Sequence, residues 1–383
     1  MDALEGTNFM DKQERCEILV LGCGIAGAAA ALFAAREGRK VHVIERAVAD
    51  DPSSRPEWLH DEGVKLLETA GIPVKDSTIG KIERVRFVDA ASNRTAEGKL
   101  DSPVTVVDST KVKGALARAA QAAGATVLTG VIATRLNARE ELIEVVDSKG
   151  GIHGGQVLLL ADGVGTLGKS LPAIARGDDS TRVTTQCEWM GHEGSADAER
   201  RRMGELVIRI SALEPDCYGY KLVAGSALAV GWVGTAEGDK ARRGLVEAAR
   251  KLKSPGDAIP DDEIGRVARL RRIPRGAALE METHVAKRAI LIGDAGGFVA
   301  AFGHDCLYPA LWASRIAADV AHRALGSPHP QDTLAEFDSL WRRDMVEYLR
   351  IPNTDLRFLI PLVFSNAVMA KKLAGAFVTG TNI

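Results

Sequence analysis

The sequence predicts an α/β fold: a nucleotide-type parallel-sheet unit, discontinuous along the chain, with an antiparallel-sheet region and a C-terminal helical segment. Three observations carry this. Residues 18–45 hold a short apolar strand, a glycine turn, an alanine-rich helix and a second strand ending in an acid. From Ala289 an apolar strand again runs into Gly-Asp and small residues, ahead of a long alanine-rich helix. Between them, from Thr181 to about Gly234, the texture changes to alternating segments that contain aromatic residues, as antiparallel sheets do.

The first unit is Ile18-Leu-Val-Leu21 followed by Gly22-Cys-Gly24-Ile25-Ala26-Gly27. Gly22 permits a tight turn, Gly24 lets backbone approach a pyrophosphate, and Gly27 lets the helix lie close to the strand. Ile25 and Ala26 head the helix, whose free N–H groups and positive dipole end suit phosphates. Glu45 ends the second strand about 20 residues on, where a carboxylate can accept hydrogen bonds from a ribose, and Arg46 stands beside it. A glycine pattern alone is weak. Set between strand, helix and terminal acid, it reads as a Rossmann-like dinucleotide site.

The chain of 383 residues is 46% hydrophobic with a formal net charge of -2. That allows a large core and gives no reason to expect a nucleic-acid partner. Cys16, Cys23, Cys187, Cys217 and Cys306 are scattered, with no C-x-x-C pair, so neither a disulfide framework nor a metal site is expected. Met1 to Glu17 has no apolar signal-peptide segment, and the apolar run Phe358 to Ala370 is broken and too short to span a bilayer. The expectation is a soluble, cytoplasmic protein.

In order, Asp50 to Glu57 reads as a surface loop and Leu59 to Ala70 as a helix stopped by Gly71. Ile82–Val88 and Val104–Val107 read as strands with a turn near Ala96–Lys99. Thr110–Ala123 is helical, Thr126–Thr129, Leu142–Val146 and Gln156–Leu160 are strands, and the last leads into Asp162-Gly163. Gly238 to Arg272 is charged and helical, Leu307 to Leu325 is a long helix, and helices continue from Gln331, ending with an amphipathic segment from Leu356 to Phe377. That last segment could touch a membrane surface weakly, with Lys371 and Lys372 as its clustered charges.

The glycine motif with Glu45, the Asp162-Gly163 pair and the Gly293-Asp294-Ala-Gly-Gly297 stretch, in this order, resemble the FAD-binding fold of the para-hydroxybenzoate hydroxylase type. The resemblance implies FAD as cofactor. Gly22, Gly24, Ile25, Ala26, Gly27, Glu45 and Arg46 would serve its ADP half, with Asp162, Gly163, Gly293, Asp294 and Gly297 along the pyrophosphate and riboflavin. It also implies an FAD-binding domain of residues 15–80, 105–180 and 275–330, a substrate domain of 81–104 and 181–274, and a helical segment of 331–383. Pro215-Asp-Cys-Tyr218-Gly-Tyr220 followed by Val230-Gly-Trp232-Val-Gly234 is similar to the geranylgeranyl reductase branch, where such segments line the substrate cavity. Tyr218, Tyr220 and Trp232 are therefore the candidate substrate residues.

Two departures fall where the flavin ring would lie. Ser109, Thr110 and Lys111 follow Val107-Asp108 where the family usually carries arginine, and Ala301-Phe-Gly303-His304-Asp305-Cys306 replaces a glycine-rich loop. His304 is the candidate catalytic acid, because imidazole titrates near neutral pH. Left-handed backbone at His304 or Cys306 would be strained, so the loop is expected to draw away from the flavin. The reading is an FAD-dependent oxidoreductase acting on an apolar small molecule. A flavin-dependent monooxygenase or halogenase-like enzyme, and a non-redox flavoprotein, are the alternatives. With one dinucleotide motif, a separate flavin reductase or ferredoxin-like electron donor is the expected partner.

Overall fold

The structure is a computed structural model that describes residues 14–48, 55–165, 167–171, 184–192, 203–255, 257–260 and 263–381. Asp50–Ser54 and residues 181–183, read above as loop and sheet, lie outside the described residues. β1 (Glu14–Leu21), α1 (Ile25–Arg36) and β2 (Val41–Glu45) open the chain. Ile18, Leu19 and Val20 are wholly buried because helices cover one face of their sheet and a second apolar layer covers the other. Alanines 28–31 of α1 are buried as well, and their small side chains let neighbouring helices pack closely on α1.

Next come β3 (Pro56–Leu59), α2 (Asp61–Thr69), and the long hairpin of β4 (Thr78–Asp89) and β5 (Thr95–Asp108). α3 (Ser109–Ala122) follows, then β6 (Thr126–Thr129), β7 (Ala133–Ala138), β8 (Ile143–Asp147) and β9 (Ile152–Leu160). β10 (Thr184–His192), β11 (Met203–Ile210), β12 (Tyr218–Ala224) and β13 (Ala227–Gly234) precede α4 (Gly238–Leu252) and β14 (Arg269–Ile273). The chain closes with β15 (Val285–Ala286), β16 (Ala289–Leu291), α5 (Leu307–Leu325), α6 (Pro330–Leu349), α7 (Leu356–Val363) and α8 (Ala367–Thr379).

Among the described residues, two eight-stranded sheets result. In the first, the order is β15-β16-β9-β1-β2-β6, with β8 and β7 beyond β9. Here β16, β9, β1, β2 and β6 run parallel, so their carboxyl ends share one edge. The second has the order β14-β10-β13-β12-β11-β4-β5-β3 and is antiparallel except where β4 meets β11. α7 and α8 cover one of its faces and α4 the other. No helix among the described residues is long and apolar enough to cross a membrane.

Four sequence expectations change. Ala96–Lys99 is strand, and the hairpin turns instead between Asp89 and Arg94, with Asn93 left-handed. Gly98 is there for packing: a Cβ on it would lie 2.2 Å from the Ala370 carbonyl oxygen of α8. Arg269–Arg272 is an edge strand paired with β10, not helix, because the cleft described below claims its alternate side chains. Pro56–Glu57 belongs to β3, paired with β5, rather than to a surface loop. The C-terminal segment is two helices, since Asn366 caps α8 through the N–H groups of Val368 and Met369.

Candidate active site at the junction of the two sheets

The carboxyl ends of β1, β9 and β16 border an open cleft lined among others by Gly24, Ile25, Ala26, Gly163, Gly293 and Asp294. This is where parallel α/β sheets hold ligands. The glycines divide by role. A Cβ on Gly22 would lie 2.3 Å from the Ala161 carbonyl oxygen, and one on Gly27 would lie 1.9 Å from that of Gly22. Those two close the turn. A Cβ on Gly24 or Gly163 would meet nothing within 4 Å, so their backbones face open space. α2, α3, α7 and α8 are capped by His60, Asp108, Asp355 and Asn366, whereas α1 carries no side-chain cap. Its first N–H groups are therefore available to an anion at the cleft, which fits a diphosphate.

Glu45 accepts from the Cys23 N–H at 2.6 Å and the Ala47 N–H at 2.8 Å, so its first task is to fix the glycine turn. Its remaining lone pairs stay open to hydroxyls. Arg46 beside it is exposed, and Asp162 sits half-buried between Ala161 and Gly163. Gly297 takes a left-handed turn against the Ala278 backbone. Asp294 lies 3.9 Å from Arg271; burial pushes its carboxyl up, and Arg55 opposes that.

A second, narrower chamber shares Arg55, Glu57, Arg271, Asp294 and Cys306 with this cleft. Strand alternation builds its floor: Tyr218, Tyr220 and Leu222 on β12, and Gln186 and Glu188 on β10, face the chamber. The intervening residues face α4. Gly219 meets Ala248 there, and Lys221 donates to Ser254 at 2.8 Å and Asp257 at 3.0 Å. Trp232 also lies on that far face, packed over Gly244, so the structure separates it from Tyr218 and Tyr220.

The chamber's polar groups are mutually paired. Tyr220 Oη donates to Glu188 at 2.6 Å and accepts from Gln186 Nε2 at 2.7 Å. Arg55 lies 3.1 Å from Glu57 and 3.8 Å from Glu188, and Ser109 Oγ donates to Glu57 at 3.3 Å. Burial disfavours the Arg55 cation, but Glu57 and Glu188 outweigh it and raise its pKa. Burial pushes the Glu57 carboxyl up, against Arg55. Three nitrogens in this wall are buried and without a hydrogen-bond partner among the described residues: Arg55 Nε, which is held only in the ion pairs with Glu57 and Glu188, and the neutral Trp58 Nε1 and His304 Nε2.

His304 holds a left-handed backbone, φ 56°, while Cys306 does not, with φ -115°. The loop thus accepts one strained residue instead of avoiding left-handed backbone, and it lines the chamber wall. Tyr218 Oη lies 2.6 Å from His304 Nδ1 and holds the ring in place. Burial, with Arg275 nearby, drives the His304 pKa well below its ordinary value. The imidazole is neutral at neutral pH, so it is no imidazolium acid. The N-terminus of α5 is served from within as well, since Asp305 Oδ1 accepts from the Leu307 N–H at 2.8 Å.

Arg55, Glu57, Trp58, Gln186 and Glu188 were not singled out from sequence. A signal existed for the last pair: Gln186 and Glu188 alternate with Cys187 and Trp189, which puts two polar residues on one face of a buried strand. For Arg55 and Glu57, the run of Asp, Pro and Ser before them hid a four-residue strand.

Residues 15–151 match the profile of the FAD-binding domain family. The cofactor is FAD, and the chain is an enzyme of the FAD-dependent oxidoreductase type. A search of curated proteins finds no match to the sequence. Among solved structures, a geranylgeranyl bacteriochlorophyll reductase-like protein from Thermoplasma acidophilum superposes with a TM-score of 0.72 at 16% identity, covering 96% of this chain and 97% of its own. The flavin-dependent halogenase CmlS gives 0.68 at 15% identity, covering 96% and 74%. The flavin-dependent brominase Bmp2 gives 0.67 at 13% identity, covering 94% and 90%. At these identities the likeness is one of fold.

Proposed function

We propose that the chain transfers hydride between FAD and a small organic molecule with a largely apolar body and one oxygen function, a chemistry of the geranylgeranyl reductase kind. The observation that carries this is a pair of neutral nitrogens with neither a hydrogen bond nor an ion pair, Trp58 Nε1 and His304 Nε2, in the wall of a chamber adjoining the cofactor cleft. Leaving each unpaired costs about 1–3 kcal/mol, which a ligand oxygen recovers. Leu222, Val233 and Ile273 supply apolar wall around it.

FAD, when bound, supplies the two-electron chemistry. Gly24, the first turn of α1, Gly163, Gly293 and Asp294 would hold it. Burial pushes the Tyr218 phenol far above its ordinary pKa, so Tyr218 stays protonated and donates to His304 Nδ1. His304 then carries its proton on Nε2 and donates it to the substrate oxygen, with Trp58 as second donor. Such donors favour a transition state in which negative charge grows on that oxygen. Arg55, fixed by Glu57 and Glu188, adds a positive charge where chamber and cleft meet.

The test is anaerobic photoreduction of the holoenzyme, followed by mixing with apolar enones of graded chain length. Reoxidation of the flavin without oxygen, with a product two hydrogens heavier, supports the reading. Reoxidation that requires air, with oxygen or halide entering the product, overturns it in favour of the oxygenase or halogenase alternative.

A further inference from the structure

We propose that Asp305 and Tyr348 form a proton relay linking the reaction chamber to solvent on the α6 side of the molecule. The chamber has two borders of different kinds. On one it shares its wall with the cleft proposed to hold FAD. On the other, Gly303 and Asp305 line both the chamber and a small third cavity, with room for about one water. Glu347, Tyr348 and Arg350 also line that third cavity, and the Glu347 side chain is 65% exposed, so it reaches solvent. Asp305 therefore stands between the chamber and the third cavity.

The Asp305 residue is only 6% exposed. Its Oδ1 accepts from the Leu307 N–H, and its Oδ2 accepts from Tyr348 Oη. Around it stand Glu57 from β3, His304 and Cys306 in its own loop, Tyr308 on α5 and Tyr348 on α6. His60 meets Tyr308 edge-on at 4.3 Å and Tyr348 tilted at 5.3 Å; burial pushes it down to about 4, so it is uncharged there. Burial pushes the Asp305 carboxyl up to about 7, against the hydrogen bonds from Tyr348 and Leu307. Both of its protonation states are therefore populated near neutral pH, as a relay requires.

The step moves one proton and no electrons. The Asp305 carboxyl gives its proton to water or a basic atom in the chamber, breaking one O–H bond and forming another. Its carboxylate takes the Tyr348 phenolic proton as Tyr348 receives one from water in the third cavity.

This rests on the proposed function, in which two-electron chemistry in the chamber is coupled to protons. Rapid mixing of the anaerobic holoenzyme with prereduced methyl viologen, whose oxidation to the dication releases no proton, with flavin absorbance reporting electrons and an indicator dye reporting protons, tests it in wild type, Asp305→Asn, Tyr348→Phe and Asp305→Glu. Wild type should take up protons in step with flavin bleaching. Asp305→Asn and Tyr348→Phe should lag at least tenfold, with a larger slowing in deuterium oxide, and Asp305→Glu should restore the wild-type trace. Tyr348→Phe keeps the ring and guards against a variant that misfolds. Coincident traces in every variant overturn the relay alone. Bleaching of wild type with no proton uptake at any time overturns the relay and the proton-coupled reading together.

Discussion

Replacing Gly24 with aspartate separates cofactor binding from folding at one position. Gly24 is the N-cap of α1, with extended backbone at φ -70° and ψ -171°, and a Cβ there meets nothing within 4 Å. Aspartate is among the best N-caps, and an acid at a helix N-terminus adds about 0.3–1 kcal/mol. The apoprotein should therefore be as stable as wild type, or more stable by about that amount. The new carboxylate, however, takes the N–H groups that α1 leaves uncapped and puts negative charge where a pyrophosphate must lie. Losing two charge-assisted hydrogen bonds costs about 3–6 kcal/mol, or about 10²–10⁴ in Kd. The contrast is Gly27→Ala. Alanine is favoured in a helix by about 1 kcal/mol, but its Cβ would sit 1.9 Å from the Gly22 carbonyl oxygen, and overpacking of about 1–3 kcal/mol wins. Urea melts of the apoproteins and FAD fluorescence titrations measure both effects. Wild-type FAD affinity in Gly24→Asp would refute the assignment of the α1 terminus as the phosphate site.

Asp305 should leave a mark on stability against pH. Its folded pKa of about 7 lies above the ordinary value of 3.8, so the folded state favours the protonated form. That contribution is full below about pH 4 and is lost as pH rises through about 7, a swing of up to about 4 kcal/mol. Urea melts at pH 5 and pH 8 should show wild type losing stability relative to Asp305→Asn; a constant difference would refute the burial argument. Trp232→Phe should lower stability by about 1–3 kcal/mol, because Trp232 packs against α4. FAD affinity and turnover per folded molecule should stay unchanged, and a selective loss of turnover would place Trp232 back in the chamber.

The parallel half of the fold was legible because each unit announces itself locally: a short apolar strand, a glycine turn and a helix of small residues follow one another within 30 residues. α5 was read to its ends, Leu307 and Leu325, for that reason. The chamber was legible only in part. Tyr218 and Tyr220 stood out as aromatics, but which face of β12 they share depends on register with β13, where Tyr220 pairs with Gly231. Trp232 sits one residue further along β13, and that single step sends it to α4. Arg55, Glu57 and Glu188 meet across β3 and β10, more than 120 residues apart in sequence, and no local pattern encodes that meeting.

The His304 turn shows what the loop accepts in order to stay in the wall. A non-glycine left-handed residue costs about 1–2 kcal/mol. Against this stand one hydrogen bond to Tyr218, about 1 kcal/mol, and ring packing on Tyr218 at 5.2 Å, about 0.5–1.5 kcal/mol. The two sides balance to within about 1 kcal/mol, so the loop keeps its position without a glycine. Two variants dissect that balance. His304→Ala keeps the strain and loses the contacts, so it should be about 1.5–2.5 kcal/mol less stable than wild type. His304→Gly loses the same contacts but relieves the strain, so it should be about 1–2 kcal/mol more stable than His304→Ala. Both remove the Nε2 donor and should weaken substrate binding alike. Equal stability of the two variants in urea would show that residue 304 is not left-handed in solution, and the donor geometry argued from that turn would fall with it.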